Sequence, residues 1–509
     1  MYSLVKTCAL VGLQGYDISV ETDLARGLPN FTIVGLPDAA IKESKERVRA
    51  AIKNSGYVFP LNKITINLSP ASLKKEGSQM DLAIAIGILT SDGVLSRKST
   101  DEYAFIGELS LDGKVCKIEG ALPMVISLRE LGINRCIVPF ENRHECSLIE
   151  DMEIIPVSSI NEVVDHLNGI SAIEPFSSKN PWVDHKDVHK VDFNEIKGQH
   201  ALKRALEIAA AGGHNVLIIG PPGSGKTMAA KRLPTILPPL SFEEAVEVTK
   251  IYSICGELRS DKLRRDRPFR SPHHTSSSVG IIGGGSNPKP GEVSLAHYGV
   301  LFMDELPEFQ KHVLEVLRQP LEEGTVNISR ANANVTYPAN FMFIASMNPC
   351  PCGNLGSGNR ECTCTQQSIT RYLSKVSGPL LDRIDMHIEV KPVKYDDISS
   401  TSEPESSEIV RQRVVNAREL QEKRLINSGS LTNGELNNRQ IKKYCKLDEE
   451  CDLLMERAFE KYKFSARTYH KILKVARTIA DLDNSESITQ NHLLEAIRYR
   501  SIDKKYWER

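Results

Sequence analysis

The spacing of apolar residues predicts alternating short strands and helices over residues 1–170. Residues 32–37 and 63–68 have the length and composition of strands, and residues 39–55 carry the charged face of an amphipathic helix. Residues 82–89 are apolar on every side, which indicates a buried helix. Further elements complete this α/β domain, namely strands at 105–109, 113–115 and 135–139 and a short helix at 161–167.

Residues 191–395 have the pattern of a parallel sheet with intervening helices. Strands buried on both faces read as continuous apolar runs rather than alternating ones, and three such runs occur at 215–219, 299–303 and 341–348. We expect helices at 201–211, 240–254 and 309–321 and a hairpin formed by 325–330 and 334–338.

The C-terminal residues 409–509 are expected to be all-helical. Polar segments at 171–190 and 396–408 break the periodicity on either side of the central region and are predicted linkers. The C-terminal helices are predicted at 409–425, 451–459, 466–481 and 489–499, the last capped by Ser487 or Thr489.

Composition places the protein among ordinary globular chains. Its 509 residues are 25% charged and 40% apolar, and their net charge is −1; this length corresponds to about three domains. Any surface that binds nucleic acid must therefore be a local patch. Apolar runs are shorter than the roughly 18 residues of a membrane span, and Met1–Lys6 does not begin a signal peptide. With eleven cysteines, an odd number, we expect a reducing, cytoplasmic location and no membrane partner.

One stretch predicts a nucleotide-binding loop. It follows the apolar run 215–219 and precedes a helical pattern at 228–233, so a glycine-rich loop joins a strand to a helix. Glycines let backbone N–H groups cradle phosphates, while a lysine reaches the β- and γ-phosphates and a threonine hydroxyl binds Mg²⁺. A chance glycine–proline turn is the plain alternative. The predicted ATP-binding residues are Gly220, Pro221, Pro222, Gly223, Ser224, Gly225, Lys226 and Thr227.

A second motif supports ATP hydrolysis. The run 299–303 ends in Asp304 and Glu305, which places two carboxylates at the carboxyl end of a buried strand, where α/β sheets bind ligands. We expect Asp304 to hold Mg²⁺ through water and Glu305 to polarise the attacking water. Taken alone, this pattern would more often be a strand that ends in a solvated acidic turn.

Three further polar residues are candidates for the same reaction. Asn348 ends the run 341–348 and is expected to orient the attacking water or contact the γ-phosphate. Arg383, in Leu-Leu-Asp-Arg, is a candidate arginine finger for a neighbouring subunit; a salt bridge to Asp382 or Asp385 is the alternative. Arg467 begins a C-terminal helix and could reach the nucleotide, or it could be an ordinary surface arginine.

A long basic segment, 258–299, is a candidate contact for nucleic acid strands. It is too irregular for a helix and too long for an ordinary connection, which is typical of a functional insertion. The alternative is a solvated loop whose arginines pair with Asp261 and Asp266. His273 and His274 lack a nearby acid or cysteine at ligand spacing and predict no metal. The candidate DNA-binding residues are Arg264, Arg265, Arg267, Arg270 and Lys289 of this segment and Arg330 near the hairpin tip.

Four cysteines within one short loop are candidate zinc ligands. They form two Cys-x-Cys pairs, Cys350/Cys352 and Cys362/Cys364, with nine residues between the pairs. Four thiolates can bind Zn²⁺ tetrahedrally, although Cys-x-Cys is less usual than Cys-x₂-Cys. Four free cytosolic thiols are the competing interpretation.

The segment "AFIGELSLDGKVCKIEGALPMVISLRELGINRCIVPFEN" resembles the proteolytic domain of Lon proteases, a fold related to ribosomal protein S5. In that family a catalytic serine follows a Gly-Pro step and a catalytic lysine lies in a later helix. Here Ser78 stands at the first position, whereas the lysine position falls near Leu122 in a stretch without lysine. Because a serine nucleophile needs a base, we expect a non-proteolytic relative. The alternative is that Ser78 is a nucleophile with an unidentified base.

Across the chain the motifs resemble those of the ComM/YifB family, a magnesium-chelatase-like branch of AAA+ ATPases. The resemblance rests on "GPPGSGKT", "SPHHTSS", "GVLFMDEL", "LRQPLEEG", "NPCPCG", "GPLLDRID" and "SARTYHKILKVARTIADL". It implies an α/β chain with a Lon/S5-like N-terminal α+β domain (1–170), a P-loop AAA+ core (191–395) and an all-helical lid (409–509).

The resemblance also implies a function. It assigns Lys226 and Thr227 to Walker A, Asp304 and Glu305 to Walker B, Asn348 to sensor 1, Arg383 to the finger and Arg467 to sensor 2. It implies a homohexamer that uses ATP and Mg²⁺ to drive branch migration of DNA during integration of transforming DNA, with the basic residues gripping branched or single-stranded DNA. The alternatives are a chelatase-like ATPase that remodels a protein partner and an ATP-dependent protease.

Overall fold

The computed structural model describes residues 1–177, 191–258, 263–285, 288–330, 333–356, 358, 361–393 and 404–507. The predicted linkers therefore fall partly outside the described residues, as do Arg259, Asp261 and Lys262 of the basic segment. Within the described ranges no helix has both the length and the apolar character needed to cross a membrane. The chain forms two compact units, of which the first contains Met1–His185, Phe242–Arg264 and Ser329–Val335 and the second contains Lys186–Ser241, Arg265–Ile328 and Thr336–Arg509.

The N-terminal residues form strands and helices in a mixed order. Their bounds are β1 Tyr2–Val11, β2 Gln14–Ala25, β3 Asn30–Val34, α1 Ala39–Asn54, β4 Lys63–Ser69, α2 Asp81–Asp92, α3 Arg97–Thr100, β5 Ala104–Phe105, β6 Glu108–Leu109, β7 Val115–Cys116, α4 Ala121–Glu130, β8 Arg135–Pro139, α5 Arg143–Cys146, β9 Glu153–Val157 and α6 Ile160–Leu167, with a 3₁₀ turn at Phe140–Asn142.

The sheet of the first unit has seven strands in the order β3-β4-β2-β1-β5-β8-β9. The β1/β2 and β2/β4 pairs are antiparallel, and the remaining pairs are parallel. Helix α2, which is buried along nearly its whole length, packs against β1 and β2, as its all-round apolar sequence predicts. The predicted strand 105–109 is instead the two short strands β5 and β6, and only Val115 of the predicted strand 113–115 lies in a strand, β7.

The rest of the chain continues with short strands and many helices. Their bounds are α7 His200–Gly212, β10 Val216–Ile219, α8 Lys226–Arg232, α9 Phe242–Ile254, β11 Phe269–Arg270, α10 Ser278–Ile282, β12 Gly283–Gly284, β13 Lys289–Pro290, α11 Glu292–Leu295, β14 Val300–Met303, α12 Lys311–Val316, α13 Arg318–Glu323, β15 Thr325–Arg330, β16 Ala333–Pro338, β17 Met342–Met347, α14 Gln366–Leu373, α15 Gly378–Leu381, β18 Met386–Glu389, α16 Ser407–Leu425, α17 Asn438–Tyr444, α18 Glu449–Tyr462, α19 Ala466–Leu482, α20 Gln490–Ser501 and α21 Asp503–Tyr506, with 3₁₀ turns at Phe193–Glu195, Leu233–Ile236, Leu306–Glu308 and Asn433–Glu435.

The second unit is built on a parallel five-stranded sheet. Its strand order is β11-β14-β17-β10-β18. Strands β10, β14 and β17 are fully buried, which confirms the three continuous apolar runs as central strands. The register pairs Ile219 with Met347 and Met303 with Ala345, so the chain leaves β10, β14 and β17 at the same edge of the sheet. This edge receives the glycine loop, the two carboxylates and Asn348.

One face of this sheet shares an apolar core with the C-terminal helices. Val216 and Ile218 of β10 belong to the same core as Val414 of α16 and Ile472 and Ala476 of α19. The all-helical prediction for 409–509 is confirmed, with Thr489 as the N-cap residue of α20. The predicted hairpin is confirmed as the two-stranded sheet β15-β16.

Candidate nucleotide-hydrolysis site

The glycine loop joins the central strand β10 to helix α8. Gly223 and Gly225 have φ angles of +76° and +84°, which glycine adopts without strain, and the Ser224 hydroxyl donates to the carbonyl of Pro221 at 2.8 Å. A Cβ atom on Gly220 would lie 2.6 Å from the carbonyl oxygen of Val390. The backbone therefore requires glycine at these positions, as expected for a loop that surrounds a phosphate group.

Lys226 is buried at the base of this loop. Its Nζ donates to the carbonyls of Gly220 and Pro221 at 2.7 and 2.8 Å and to the Asn348 side-chain oxygen at 3.3 Å. Burial lowers the pKa of Lys226, and the charges of Asp304 and Glu305 oppose that shift. The ammonium is thus centred among acceptors that a phosphate can replace, and it is next to the predicted water-orienting residue.

The two carboxylate oxygens of Asp304 are both held by hydroxyl groups. Thr227 Oγ1 donates to one oxygen at 2.6 Å, and the Ser346 hydroxyl donates to the other. Ser346 lies beside Asp304 because Ala345 pairs with Met303 in the parallel register. The Thr227 and Asp304 oxygens are of the kind that Mg²⁺ prefers, and their closeness fits one shared ion.

Glu305 follows Asp304 with its side chain exposed. Its φ angle is +53°, in the left-handed region, and its backbone N–H donates to an Asp304 oxygen at 3.1 Å. The left-handed turn points the two side chains in different directions. Asp304 therefore keeps its hydrogen bonds to Thr227 and Ser346, while the Glu305 carboxylate is exposed to solvent.

Two residues of this site were not found by sequence reasoning. Ser346 lies within a run that is otherwise apolar, where a buried serine has no local signal. Gln199 adopts a left-handed φ of +51°, and its amide donates to the carbonyls of Ser224 and Lys391 at 3.1 and 2.7 Å. It thereby connects the glycine loop to the chain after β18; the adjacent Gly198 was its only sequence signal.

The two candidate arginines lie in different environments. Arg383 donates to the carbonyls of Arg318 and Pro379 at 3.1 and 2.7 Å and forms an ion pair with Glu322. An intramolecular salt bridge does exist, but its acid is Glu322 rather than Asp382 or Asp385. Arg467 is exposed in the first turn of α19.

The four cysteine sulfurs lie together in the loop after β17. Each of Cys350, Cys352, Cys362 and Cys364 has its Sγ atom within 4.8 Å of the other three. Hydrogen bonding from the Asn354 backbone lowers the pKa of Cys352 to about 6, whereas burial raises the pKa of Cys350 to about 12. The four residues form one cluster that can bind a metal ion.

The arginines of the basic segment make specific contacts. Arg267 donates to the carbonyls of Pro238 and Tyr298 at 2.7 and 2.8 Å. Arg270 forms a bidentate pair with Glu292 at 2.6 and 2.8 Å. Asp261, one of the two acids predicted to pair with these arginines, lies outside the described residues. Arg264 stacks over Tyr252, at 4.6 Å from the ring centroid.

The remaining candidates for DNA contact differ in exposure. Arg265 is half-buried, and its carbonyl accepts a hydrogen bond from the Leu240 backbone at 3.1 Å. Lys289 is exposed on β13. Arg330 ends β15, but its side chain lies outside the described residues. The segment is not wholly irregular, because it contains the short elements β11, α10, β12, β13 and α11.

Ser78 of the first unit has a carboxylate as its partner. Its hydroxyl donates to Glu108 at 2.5 Å. Leu122, predicted to stand near the lysine position of Lon-type domains, is fully buried in an apolar cluster on α4. The residues described around Ser78 therefore show a hydrogen-bonded serine and supply no lysine from α4.

Family profiles match this chain in three consecutive segments. Residues 20–142 match subunit ChlI of Mg-chelatase, residues 192–398 match magnesium chelatase subunit ChlI, and residues 404–500 match the ChlI C-terminal region. Together with the parallel sheet and the glycine loop, these matches define a magnesium-chelatase-like AAA+ protein.

Relatives match over nearly the whole chain. YifB of Escherichia coli (strain K12), described as uncharacterized, is 44% identical over 507 residues, which cover 99% of this chain and 97% of YifB. The competence protein ComM of Haemophilus influenzae is 41% identical over 505 residues, which cover 98% of this chain and 97% of ComM. A Lon protease of Azospirillum brasilense is 24% identical over 177 residues, 32% of this chain and 21% of that protease. The chain belongs to the ComM/YifB family of magnesium-chelatase-like AAA+ proteins, and the predicted fold class is confirmed.

Proposed function

We propose that this protein is an ATP-driven homohexameric motor that moves branch points in DNA recombination intermediates during DNA uptake. The observation that carries ATP hydrolysis is the meeting of Lys226, Thr227, Asp304 and Asn348 at one sheet edge, with Lys226 3.3 Å from Asn348 and Thr227 2.6 Å from Asp304. This arrangement supports phosphoryl transfer, which depends on positioning and on stabilisation of charge.

Each residue of the site has a distinct task in this proposal. The glycine loop and Lys226 bind the β- and γ-phosphates, which replace the carbonyl acceptors that Lys226 contacts in the structure. Thr227 and Asp304 would hold Mg²⁺, which offsets the negative charge of the phosphates when bound. Glu305, exposed next to Asp304, polarises the attacking water, and Asn348 orients that water towards the γ-phosphate.

In the proposed hexamer, two arginines supply positive charge to the bound nucleotide. Arg383 of one subunit would leave Glu322 and reach the γ-phosphate of its neighbour, and Arg467 would contact the nucleotide from the C-terminal helices. This movement would break the ion pair with Glu322 and the hydrogen bonds of Arg383 to the carbonyls of Arg318 and Pro379.

Support for DNA as the substrate comes from two sources. The relative ComM, similar over nearly its whole length, is named a competence protein. Within this chain, the proposed contacts are Arg264, Arg265, Arg267, Arg270, Lys289 and Arg330. Lys289 is exposed, and the hydrogen bonds of Arg267 and Arg270 within the protein would hold the segment in place. The reaction is proposed to take place in the cytoplasm.

The first experiment tests the motor directly. A labelled strand of a synthetic branched DNA should be displaced by the wild-type protein with ATP and Mg²⁺, and Lys226→Ala should abolish displacement. Intact ATP hydrolysis that DNA does not affect, without displacement, would contradict the DNA motor. Normal hydrolysis by Lys226→Ala would remove the proposed site itself.

Glu305→Gln separates binding from turnover. This variant keeps the glycine loop, Lys226 and Thr227, so it should bind ATP as wild type does while hydrolysis falls by roughly 100-fold or more. ATP binding is measured with a fluorescent analogue and turnover by phosphate release. Full turnover would place the catalytic base elsewhere.

A protein-remodelling ATPase is the second candidate function. The observation in its favour is that all three matching profiles are named for a magnesium chelatase subunit. DNA binding whose affinity falls steeply with salt concentration supports the motor, because release of counterions from DNA produces that dependence. ATPase activity that responds to a protein partner but not to DNA supports remodelling.

A further inference from the structure

Three of the four cysteine sulfurs have separations close to those of a tetrahedral metal site, and the fourth, that of Cys364, lies within 4.8 Å of each of them. The distances are 3.4 Å between Cys350 and Cys352, 3.6 Å between Cys350 and Cys362, and 3.7 Å between Cys352 and Cys362. Four sulfurs at about 2.3 Å from one Zn²⁺ ion lie roughly 3.8 Å apart. A disulfide would need about 2.05 Å, so these sulfurs are not joined in disulfides, and their spacing is close to that of ligands around one ion.

Three buried cysteines of the first unit show what a structural thiol looks like in this protein. Cys8, Cys136 and Cys146 are fully buried in one apolar cluster of the first unit, and burial raises the pKa of Cys8 to about 12. These side chains pack as small apolar groups. The loop cysteines differ, because three of the four are only partly buried and their sulfurs converge on one point.

The position of this loop connects it to the nucleotide site. It begins directly after Asn348 and ends at Thr365, whose side chain caps α14. Between the cysteine pairs, Gly353 has a φ of +79°, and a Cβ atom there would lie 2.6 Å from Pro222 of the glycine loop and 3.9 Å from the Asn348 side chain. The cysteine loop therefore lies against the glycine loop with no room for a side chain.

We propose that Cys350, Cys352, Cys362 and Cys364 bind one Zn²⁺ ion, and that this ion holds the loop against Pro222 so that Asn348 stays beside Lys226. The zinc has a positioning role and does not take part in the reaction. Zinc binding is independent of the proposed function, whereas the effect on Asn348 rests on ATP hydrolysis at this site.

Metal content tests the zinc site. The full chain, purified under reducing conditions without chelator, should contain zinc in a one-to-one ratio by elemental analysis. The double variant Cys362→Ser/Cys364→Ser should lose this zinc, while the partly buried Cys116→Ser, outside the cluster, should keep it. Zinc well below the one-to-one ratio in wild type, or an equal amount of iron in its place, would overturn the assignment.

A second measurement avoids reliance on variants that fail to fold. Wild-type protein depleted of metal with a chelator and then given Co²⁺ alone should develop the charge-transfer and visible absorption bands of tetrahedral cobalt–thiolate coordination. Added Zn²⁺ should remove these bands. Their absence in folded protein would overturn the site.

Gly353→Ala tests the positioning role without removing a ligand. All four cysteines remain, so this variant should keep its zinc. The added Cβ meets Pro222 and strains a left-handed backbone, so the kcat for ATP should fall about tenfold while KM changes less. Unchanged kcat with zinc retained would overturn the positioning role. One-to-one zinc in a wild-type protein that hydrolyses no ATP would instead remove the proposed function and leave the metal site standing.

Discussion

The carboxylate of Asp385 lies 2.9 Å from the Lys471 ammonium, and both side chains are almost entirely buried in the second unit. Asp385 follows the candidate finger Arg383 by two residues, and Lys471 follows Arg467 by four. Asp385 also accepts the backbone N–H of Asn215, directly before β10, at 3.1 Å. Burial alone would raise the pKa of Asp385, but Lys471 and His214 hold this pKa well below its usual range. Through these contacts, the Asp385 carboxylate connects the turn that contains Arg383 to helix α19, which contains Arg467, and to the start of strand β10, which precedes the glycine loop.

Removal of this carboxylate's charge should be strongly destabilising. Asp385→Asn leaves the Lys471 ammonium buried without its counter-charge, which typically costs about 3–5 kcal/mol. The double variant Asp385→Asn/Lys471→Met should cost less than the sum of the single changes, because it removes both charges. Unfolding by denaturant, followed by fluorescence, measures these differences.

A surface pair supplies the matched control for that prediction. Lys375 and Glu308 are 3.4 Å apart and remain roughly half exposed. Lys375→Met should change stability by about 1 kcal/mol or less. Equal effects of Lys375→Met and Asp385→Asn would show that the buried pair has no special contribution.

Two buried histidines predict loss of stability in mild acid. The side chains of His214 and His387 are fully buried, and burial lowers the pKa of each. Below about pH 6.5, the ordinary histidine pKa, the unfolded chain therefore binds more protons than the folded chain. Stability from these groups is present above that pH and falls as the pH is lowered from 7 towards 5.

Thermal unfolding at pH 7.5 and pH 5.5 checks this sign. The double variant His214→Gln/His387→Gln should show a smaller drop in Tm between the two conditions than wild type. His273→Gln, at an exposed position, serves as the control and should leave the drop unchanged. A wild-type Tm that rises on acidification would contradict the assignment.

Local patterns predicted much of the second unit but less of the first. The glycine loop and the strand before Asp304 could be recognised from the sequence because the local residue pattern of each agrees with the structure that it adopts. The long strands β1 and β2 were missed: polar Ser3 and Thr7 take inward positions alongside Val5 and hide the alternation. Such burial depends on partners that are distant in sequence.

The predicted helix 309–321 was wrong as a single element. The chain forms α12 and α13, with the break at Leu317. Pro320 has no N–H to donate to the carbonyl of Val316, so the helical hydrogen bonding cannot continue through this point. Gln199 and Ser346 were missed for a different reason, since their contacts join segments that only the folded sheet brings together.

The first unit should have no proteolytic activity of the Lon type. Ser78 donates to the Glu108 carboxylate at 2.5 Å, and α4 supplies the apolar Leu122 where a lysine would be required. Casein incubated with the protein and ATP should remain intact, and Ser78→Ala should hydrolyse ATP at the wild-type rate. Degradation of casein that Ser78→Ala abolishes would restore the protease interpretation.

Ser346 should set the Mg²⁺ requirement of the enzyme. Its hydroxyl and that of Thr227 hold the two oxygens of Asp304, and Ser346 is fully buried, so that water cannot easily take its place. Ser346→Ala leaves one Asp304 oxygen with only the Glu305 backbone N–H at 3.1 Å. We expect the Mg²⁺ concentration for half-maximal ATP hydrolysis to rise about tenfold or more, with little change in nucleotide binding without metal. Ser374→Ala, which removes an exposed hydroxyl bonded to the Arg371 carbonyl, is the matched control. If both variants need the same Mg²⁺ as wild type, Asp304 does not depend on Ser346 to hold the ion.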